Sequence, residues 1–198
     1  RKRSNNRPRW EEGYSYKDDE LKLLKSYNFL TIKPIIYVAN IDEGMIGLED
    51  NNYVKEVKEY ASKENASVVV LCAKIEEELS ELSDSDKKDM LEALGMEKSG
   101  LEQLISTTYD LLGLATYFTV GKDEVRAWTF KKGMNAKKCA GIIHTDFEKG
   151  FIKAEVISYA DLMKFGSELK TREAGRARIE GKDYIMQDGD ICHFRFNL

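Results

Sequence analysis

The sequence predicts two successive modules, an α/β unit followed by a compact α+β unit, and three observations carry that expectation. Two continuous apolar runs, IIYVAN and ASVVVLC, flank a helical pattern in the first half, the order of a βαβ unit with a right-handed crossover. Beyond Gly113 the text becomes short β-rich runs punctuated by glycines, with one helical pattern among them. Charge changes with texture: residues 1–13 hold 5 Lys/Arg against 2 Asp/Glu, residues 14–115 hold 11 against 21, and residues 116–198 hold 15 against 12. The expected division is 1–13 as a frayed or linker segment, 14–115 as the first module and 116–198 as the second.

From Asp18 to Leu30, the residues Leu21, Leu24, Tyr27 and Phe29/Leu30 recur at helical spacing and lead into Pro34. Pro34 opens the strand IIYVAN, whose unbroken apolar character predicts a parallel strand buried on both faces. Asn51 or Asn52 then caps a helix through about Ser62, with Tyr53, Val57, Tyr60 and Ala61 on one face, and ASVVVLC supplies the second strand. The acidic stretch IEEELSELSDSDKKD begins a helix whose charges form a solvated face. Ser99-Gly100-Leu101-Glu102 reads as a capping box, opening a helix along Leu101, Leu104, Ile105, Tyr109 and Leu112 that ends near Gly113. In the second module ATYFTV, VRAWTF, FIKAEVI, DYIMQ and DICHFRF predict strands, with a helix from about Asn135 to Ile142. Two strands, a helix and two or three more strands give the order of a ubiquitin-like β-grasp.

Composition narrows the function classes. With 42% hydrophobic and 33% charged residues, and no apolar run near the roughly 20 residues of a membrane helix, the chain reads as an ordinary soluble protein. Cys72, Cys139 and Cys192 are odd in number and widely spaced, without a CxxC, so they frame no metal site and read as reduced thiols of a cytoplasmic protein. No signal peptide opens the sequence, and a start at Arg1 fits a piece of a longer protein. The basic bias of the second module is too weak to mark a nucleic-acid face by itself.

The chemistry concentrates at two strand ends. Asn40 and Cys72-Ala73-Lys74 close the two apolar strands at their carboxyl ends, where open α/β sheets bind ligands. An Asn amide carries a donor and an acceptor, which suits the N6/N7 or O6/N7 edge of a purine. Taken alone, Asn40 is a common strand-ending turn residue and Cys72 a small buried hydrophobe, while Lys74 either packs its stem over a base or is solvated. His144-Thr145-Asp146 has triad chemistry in adjacent positions, so a helix-to-loop junction held by local hydrogen bonds is the better reading. His193 alternates with Cys192 and Phe194 in a strand and is structural or solvent-facing by default. Trp128, Phe118, Phe147 and Phe151 offer stacking surfaces for bases, or core.

The strand ending in Asn40-Ile41-Asp42-Glu43, followed about 30 residues later by Cys72-Ala73-Lys74, resembles the fourth and fifth base-binding motifs of P-loop GTPases. The usual Asn-Lys-x-Asp is altered at two places, Ile41 and Glu43, as in the YchF/Obg-like ATPase family. LGLATYFTVGKDEVRAWTF, AGIIHTDFEKGFIKAEVISYADL and EAGRARIEGKDYIMQDGDICHFRFN closely resemble that family's TGS domain. The resemblance covers about residues 17–198. It implies a partial P-loop NTPase G domain followed by a ubiquitin-like β-grasp TGS domain. It further implies ATP or GTP with Mg²⁺ in the intact protein, and ribosome or RNA as partner of a cytoplasmic monomer. Asn40, Ile41 and Glu43, with the backbone of Cys72, Ala73 and Lys74, would read the base; Arg126, His144 and Lys149 would touch RNA or the ribosome. No GxxxxGK[ST] loop occurs, so the chain holds no phosphate cradle, no catalytic residue and no metal ligand is assigned, and the isolated chain is expected to be inactive. A non-enzymatic RNA- or ribosome-binding module on a structural α/β platform is the alternative. A TGS region of a stringent-response enzyme or tRNA synthetase is a third, which the YVANIDE strand does not fit.

Overall fold

The computed structural model describes residues 17–121 and 124–197, so the linker expectation for residues 1–13 lies outside the described residues. The chain divides into two compact units between Leu111 and Leu112.

In the first unit α1 (Asp18–Ser26) is followed by a 3-10 turn over Leu30–Ile32 and then by β1 (Ile36–Asn40). A second 3-10 turn, Glu43–Met45, leads to α2 (Asn52–Lys63), and β2 (Ser67–Leu71) lies parallel to β1 in register from Ile36–Ser67 to Asn40–Leu71. Asn51 caps α2, its side-chain oxygen accepting from the Val54 N–H at 2.8 Å. Val54 and Ala61 of α2 are buried. The expectation of a first strand buried on both faces does not hold. Val69 on β2 is 4% exposed but Val38 on β1 is 48% exposed, because the described sheet has only these two strands.

The acidic stretch forms two helices rather than one, α3 (Ala73–Glu81) and α4 (Asp84–Ala93). Leu82 turns extended and Ser83 caps the second helix by accepting from the Asp86 N–H. The break lets Leu82, Met90, Leu91 and Leu94 fold back on Cys72, Ile75 and Leu79, a cluster one straight helix would not close. α5 (Gly100–Leu112) starts in the expected capping box: Ser99 Oγ accepts from the Glu102 N–H at 3.1 Å, and a Glu102 carboxylate oxygen accepts from the Ser99 N–H at 3.2 Å. Two further amides of that first turn, Gly100 at 2.7 Å and Leu101 at 3.1 Å, donate to the carboxylate of Glu76 on α3. Gly100 is buried so tightly here that an added Cβ would overlap the Leu71 side chain.

The second unit is built on a five-stranded sheet. Its strands are β3 (Leu114–Val120), β4 (Val125–Lys131), β5 (Phe151–Ser158), β6 (Arg178–Glu180) and β7 (Asp190–Phe196), in the order β4-β3-β7-β5-β6. β3–β4, β5–β7 and β5–β6 pair antiparallel, whereas β3–β7 is parallel. α6 (Ala136–Ile143), capped by Asn135, buries Ala136 and Cys139 against Ala115, Tyr117, Phe130, Ala154, Val156, Met186 and Cys192. Tyr117, wholly buried, donates its hydroxyl to the Cys139 carbonyl at 2.9 Å, and burial raises its phenol well above the usual tyrosine range. Burial likewise pushes the Cys139 thiol up to about 12, so both it and Cys192 are inert core thiols.

Three helices go beyond the sequence expectation: α7 (Thr145–Lys149), α8 (Tyr159–Phe165) and α9 (Glu168–Glu173). The expected strand DYIMQ is not one. Ile185 makes only an isolated bridge to Asn135, while the Gln187 N–H and the Tyr184 hydroxyl turn to the buried carboxylate of Asp190, each at 2.9 Å. The Gln187 amide is thereby diverted from strand pairing to satisfy a buried acid, while the Met186 amide still donates to the Met134 carbonyl at 3.1 Å.

Gly100→Ala is expected to lower stability by about 1–3 kcal/mol through forced displacement of Leu71, and Tyr117→Phe by about 1 kcal/mol through loss of its hydrogen bond. Urea unfolding of each variant beside the parent checks both; unchanged midpoints would mean that neither contact is as constrained as described.

Candidate nucleotide-base site

The site grows out of parallel pairing. β1 ends on Asn40 opposite Leu71, and the next amide, of Ile41, still donates to the Leu71 carbonyl at 2.9 Å. The two strands therefore finish side by side, and the loop leaving β1 is held against the turn that leads from β2 into α3. Cys72 takes the N-cap position of α3 in an extended conformation (φ −112°, ψ 110°) but its thiol makes no capping bond. The missing acceptor comes from the neighbouring strand: Asn40 Oδ1 accepts from the Ala73 N–H at 2.9 Å. An amide N–H can only donate, so the carbonyl side of Asn40 faces α3 and its Nδ2 donors are left for a ligand. The amides of Lys74 and Ile75, without partners inside the helix, add donors at the same end.

The remaining residues divide by role. Ile41 has its amide in the strand ladder and its side chain packed on the Cys72–Ile75–Leu79 cluster, so it positions the loop. Cys72 is 5% exposed, which leaves only its backbone to face a ligand. Glu43 opens the 3-10 turn and reaches across to α3, where its carboxylate takes a hydrogen bond from Lys74 Nζ at 2.7 Å. That bond, with the charge attraction behind it, holds the Lys74 ammonium above its ordinary lysine value. Behind the strand ends an apolar recess of about 150 Å³ is lined by Ile41, Met45, Leu71, Cys72, Ile75 and Met96 among others. Among the described residues no group of three or more His, Cys, Asp or Glu is arranged to hold a metal ion.

The chain of donors matches a purine edge in one respect and departs from the sequence expectation in another. With its oxygen engaged, Asn40 offers donors alone, the complement of an acceptor such as the N7 shared by adenine and guanine. It does not by itself distinguish N6 from O6. Glu76, which the sequence presented as one charge of a solvated face, instead fixes α5 beside β2; its partners lie 24 and 25 residues away, beyond any local signal.

In the second unit Arg126, His144 and Lys149 do not form one cluster. Arg126, on β4, lays its guanidinium 4.2 Å over the Trp128 ring, whose indole N–H donates to Thr119 Oγ1 at 2.9 Å. His144 caps α7, its Nδ1 accepting from the Asp146 N–H at 3.2 Å, and Lys149 is exposed in the last turn of that helix. α7 packs on β5 and β7, away from the edge strand that carries Arg126. His193 lies 3.1 Å from the Glu168 carboxylate. Of the aromatic residues, Phe147 stacks on Phe196 at 3.8 Å, and Trp128 and Phe151 pack against the core.

Comparison with known proteins gives the lineage. Residues 114–197 match the family model YchF-GTPase_C, described as a protein of unknown function (DUF933). The chain is 54% identical over 184 residues to "Ribosome-binding ATPase YchF" of Bacillus subtilis, covering 92% of this chain and 50% of that protein. It is 55% identical over 180 residues to the protein of that name from Haemophilus influenzae, covering 91% and 49%. The chain belongs to the YchF family. It spans about half the length of the YchF relatives it matches and corresponds to their C-terminal part. A solved Schizosaccharomyces pombe YchF GTPase superposes with a TM-score of 0.77 at 34% identity, over 93% of this chain and 49% of that one. A GTP binding protein from Pyrococcus horikoshii OT3 shares the fold with a TM-score of 0.58 at 20% identity, over 92% and 51%. The mixed α/β content of the chain is thus that of its YchF neighbours. No helix among the described residues is long and apolar enough to cross a membrane.

Removing the Asn40 side chain orphans the first amide of α3. Asn40→Ala should cost about 1 kcal/mol of stability and Asn40→Asp distinctly less, since Asp keeps the acceptor. Identical urea midpoints for parent and Asn40→Ala would show that the strand-to-helix bond contributes nothing.

Proposed function

We propose that this chain supplies the base-recognition end of a purine-nucleotide site, and a ribosome- or RNA-binding module, to a cytoplasmic P-loop ATPase of the YchF type that also accepts GTP. On this reading residues 14–115 are the C-terminal part of the G domain and residues 116–198 are a TGS domain. The observation that carries it is the bond from the Ala73 amide to Asn40 Oδ1, which joins two separate sequence motifs into one donor-bearing edge. The names of the Bacillus and Haemophilus relatives, ribosome-binding ATPases, support the reading of activity and partner. The β-grasp reading is supported by the five-stranded sheet, in which the first and last strands run parallel at the middle and α6 crosses one face.

In the site so read, the Nδ2 donors of Asn40 face purine N7, the acceptor that adenine and guanine share. Ile41 and Cys72 hold these donors by burying their side chains in one apolar cluster. The nucleotide brings its own phosphates and Mg²⁺, whose ligands and cradle the YchF reading assigns to other parts of the protein. What these residues contribute is binding and orientation, realised before any bond to phosphorus changes. Arg126, His144 and Lys149 are proposed contacts to RNA or the ribosome, acting as separate points rather than as one basic patch.

Calorimetric titration of the whole protein tests the reading. Asn40→Ala is expected to weaken ATP and GTP alike, by about tenfold for one lost hydrogen bond, because N7 is common to both. Undiminished binding of both nucleotides would remove Asn40 from the site. This chain by itself should show no turnover of ATP; hydrolysis that survives Asn40→Ala in the purified chain would contradict the division of labour.

A further inference from the structure

The ion pair between Glu43 and Lys74 spans the two halves of the site. Glu43 belongs to the loop after β1, Lys74 to the first turn of α3, and 31 residues separate them in sequence. Both side chains are more than half exposed, 53% for Glu43 and 60% for Lys74, so nothing in the core forces them together. The register of β1 on β2 and the Asn40–Ala73 bond bring their backbones close, and the charges complete the contact at 2.7 Å.

The chemistry of the two purines gives this pair a consequence. Guanine presents N1–H and N2–H₂ on its Watson–Crick edge, two donors that suit a carboxylate. Adenine presents an N1 acceptor there, which a carboxylate repels, beside its N6–H₂ donor. An unpaired Glu43 would therefore favour guanine. A Glu43 held by an ammonium has its charge balanced and one oxygen committed.

We propose that Lys74 is a specificity-determining residue, which restrains the Glu43 carboxylate through their ion pair and so suppresses guanine selection at the base site. The proposal rests on the nucleotide reading of Asn40. It assigns to Lys74 neither base stacking nor simple solvation, but control of the acid opposite. Because the pair is exposed, its leverage is moderate and salt-sensitive.

The test is the ratio of ATP to GTP affinity, measured by calorimetry on the whole protein with Mg²⁺ present; the ratio cancels everything the phosphates contribute. Lys74→Met keeps the alkyl stem and removes the charge, and it should move the ratio toward GTP by about two- to fivefold. Lys74→Arg, which can still pair with Glu43, should leave the ratio near that of the parent. In the double variant Lys74→Met with Glu43→Gln the shift should vanish, the ratio returning to that of Glu43→Gln alone. An unchanged ratio in Lys74→Met, or an equal shift with and without the Glu43 carboxylate, overturns the proposal. Asn40→Ala separates the two failures. If it weakens binding of both nucleotides alike while Lys74→Met leaves their ratio untouched, the nucleotide site stands and the ion-pair control falls. If Asn40→Ala changes neither affinity, the nucleotide reading itself falls.

Discussion

One hydrogen bond organises the first unit: the Ala73 amide donating to the side chain of Asn40. A helix that begins directly after a strand needs an acceptor for its leading amides, and Cys72 at the cap position cannot supply one. Asn40 does so from across the sheet. The bond fixes the start of α3, and α3 in turn carries Ile75 and Leu79 into the apolar cluster and Glu76 to the first turn of α5. Strand ends, two helix starts and the candidate site share a single line of support.

In the nucleotide site proposed above, that arrangement also divides affinity from selectivity. The same Asn that braces the fold is left with donors alone, so its contribution to a purine is common to both bases. On the proposed reading, discrimination passes to groups that are less firmly held, of which Glu43 and Lys74 are the most conspicuous: both are exposed, both charged, and both on loop or helix-end backbone. A rigid common contact beside an adjustable discriminating one accommodates two related ligands without rebuilding the scaffold. The altered motif at Ile41 fits this division, since an apolar residue there serves the core cluster.

Local chemistry was legible in the sequence and distant chemistry was not. An Asn cap at position 51 or 52 and the Ser99–Glu102 box could be read because donor and acceptor lie within three residues of each other. The side-by-side ends of IIYVAN and ASVVVLC followed from their unbroken apolar runs. Glu76 was opaque because its partners are remote, and a carboxylate within an acidic run offers no mark of being the one that turns inward. Leu82 and Ser83 split a stretch whose charge pattern looked continuous. DYIMQ alternates like a strand, yet its pairing stops at one isolated bridge, and the Gln187 amide turns to Asp190. In the candidate site the residues themselves were legible, whereas the engagement of the Asn40 oxygen and the pairing of Glu43 with Lys74 depend on side-chain direction, which periodicity does not encode.

The placement of β7 has a consequence for how the second unit is made. Residues 190–196 occupy the middle of the sheet, joined to β3 on one side and β5 on the other. During synthesis the β3–β4 hairpin and the β5–β6 pair emerge as separate pieces, each with an open edge and an uncovered apolar face. Only when the ribosome has passed Phe196 can the keystone strand enter and close the sheet, a pairing of high sequence separation. A message truncated even slightly before that point would yield two half-sheets with nothing between them.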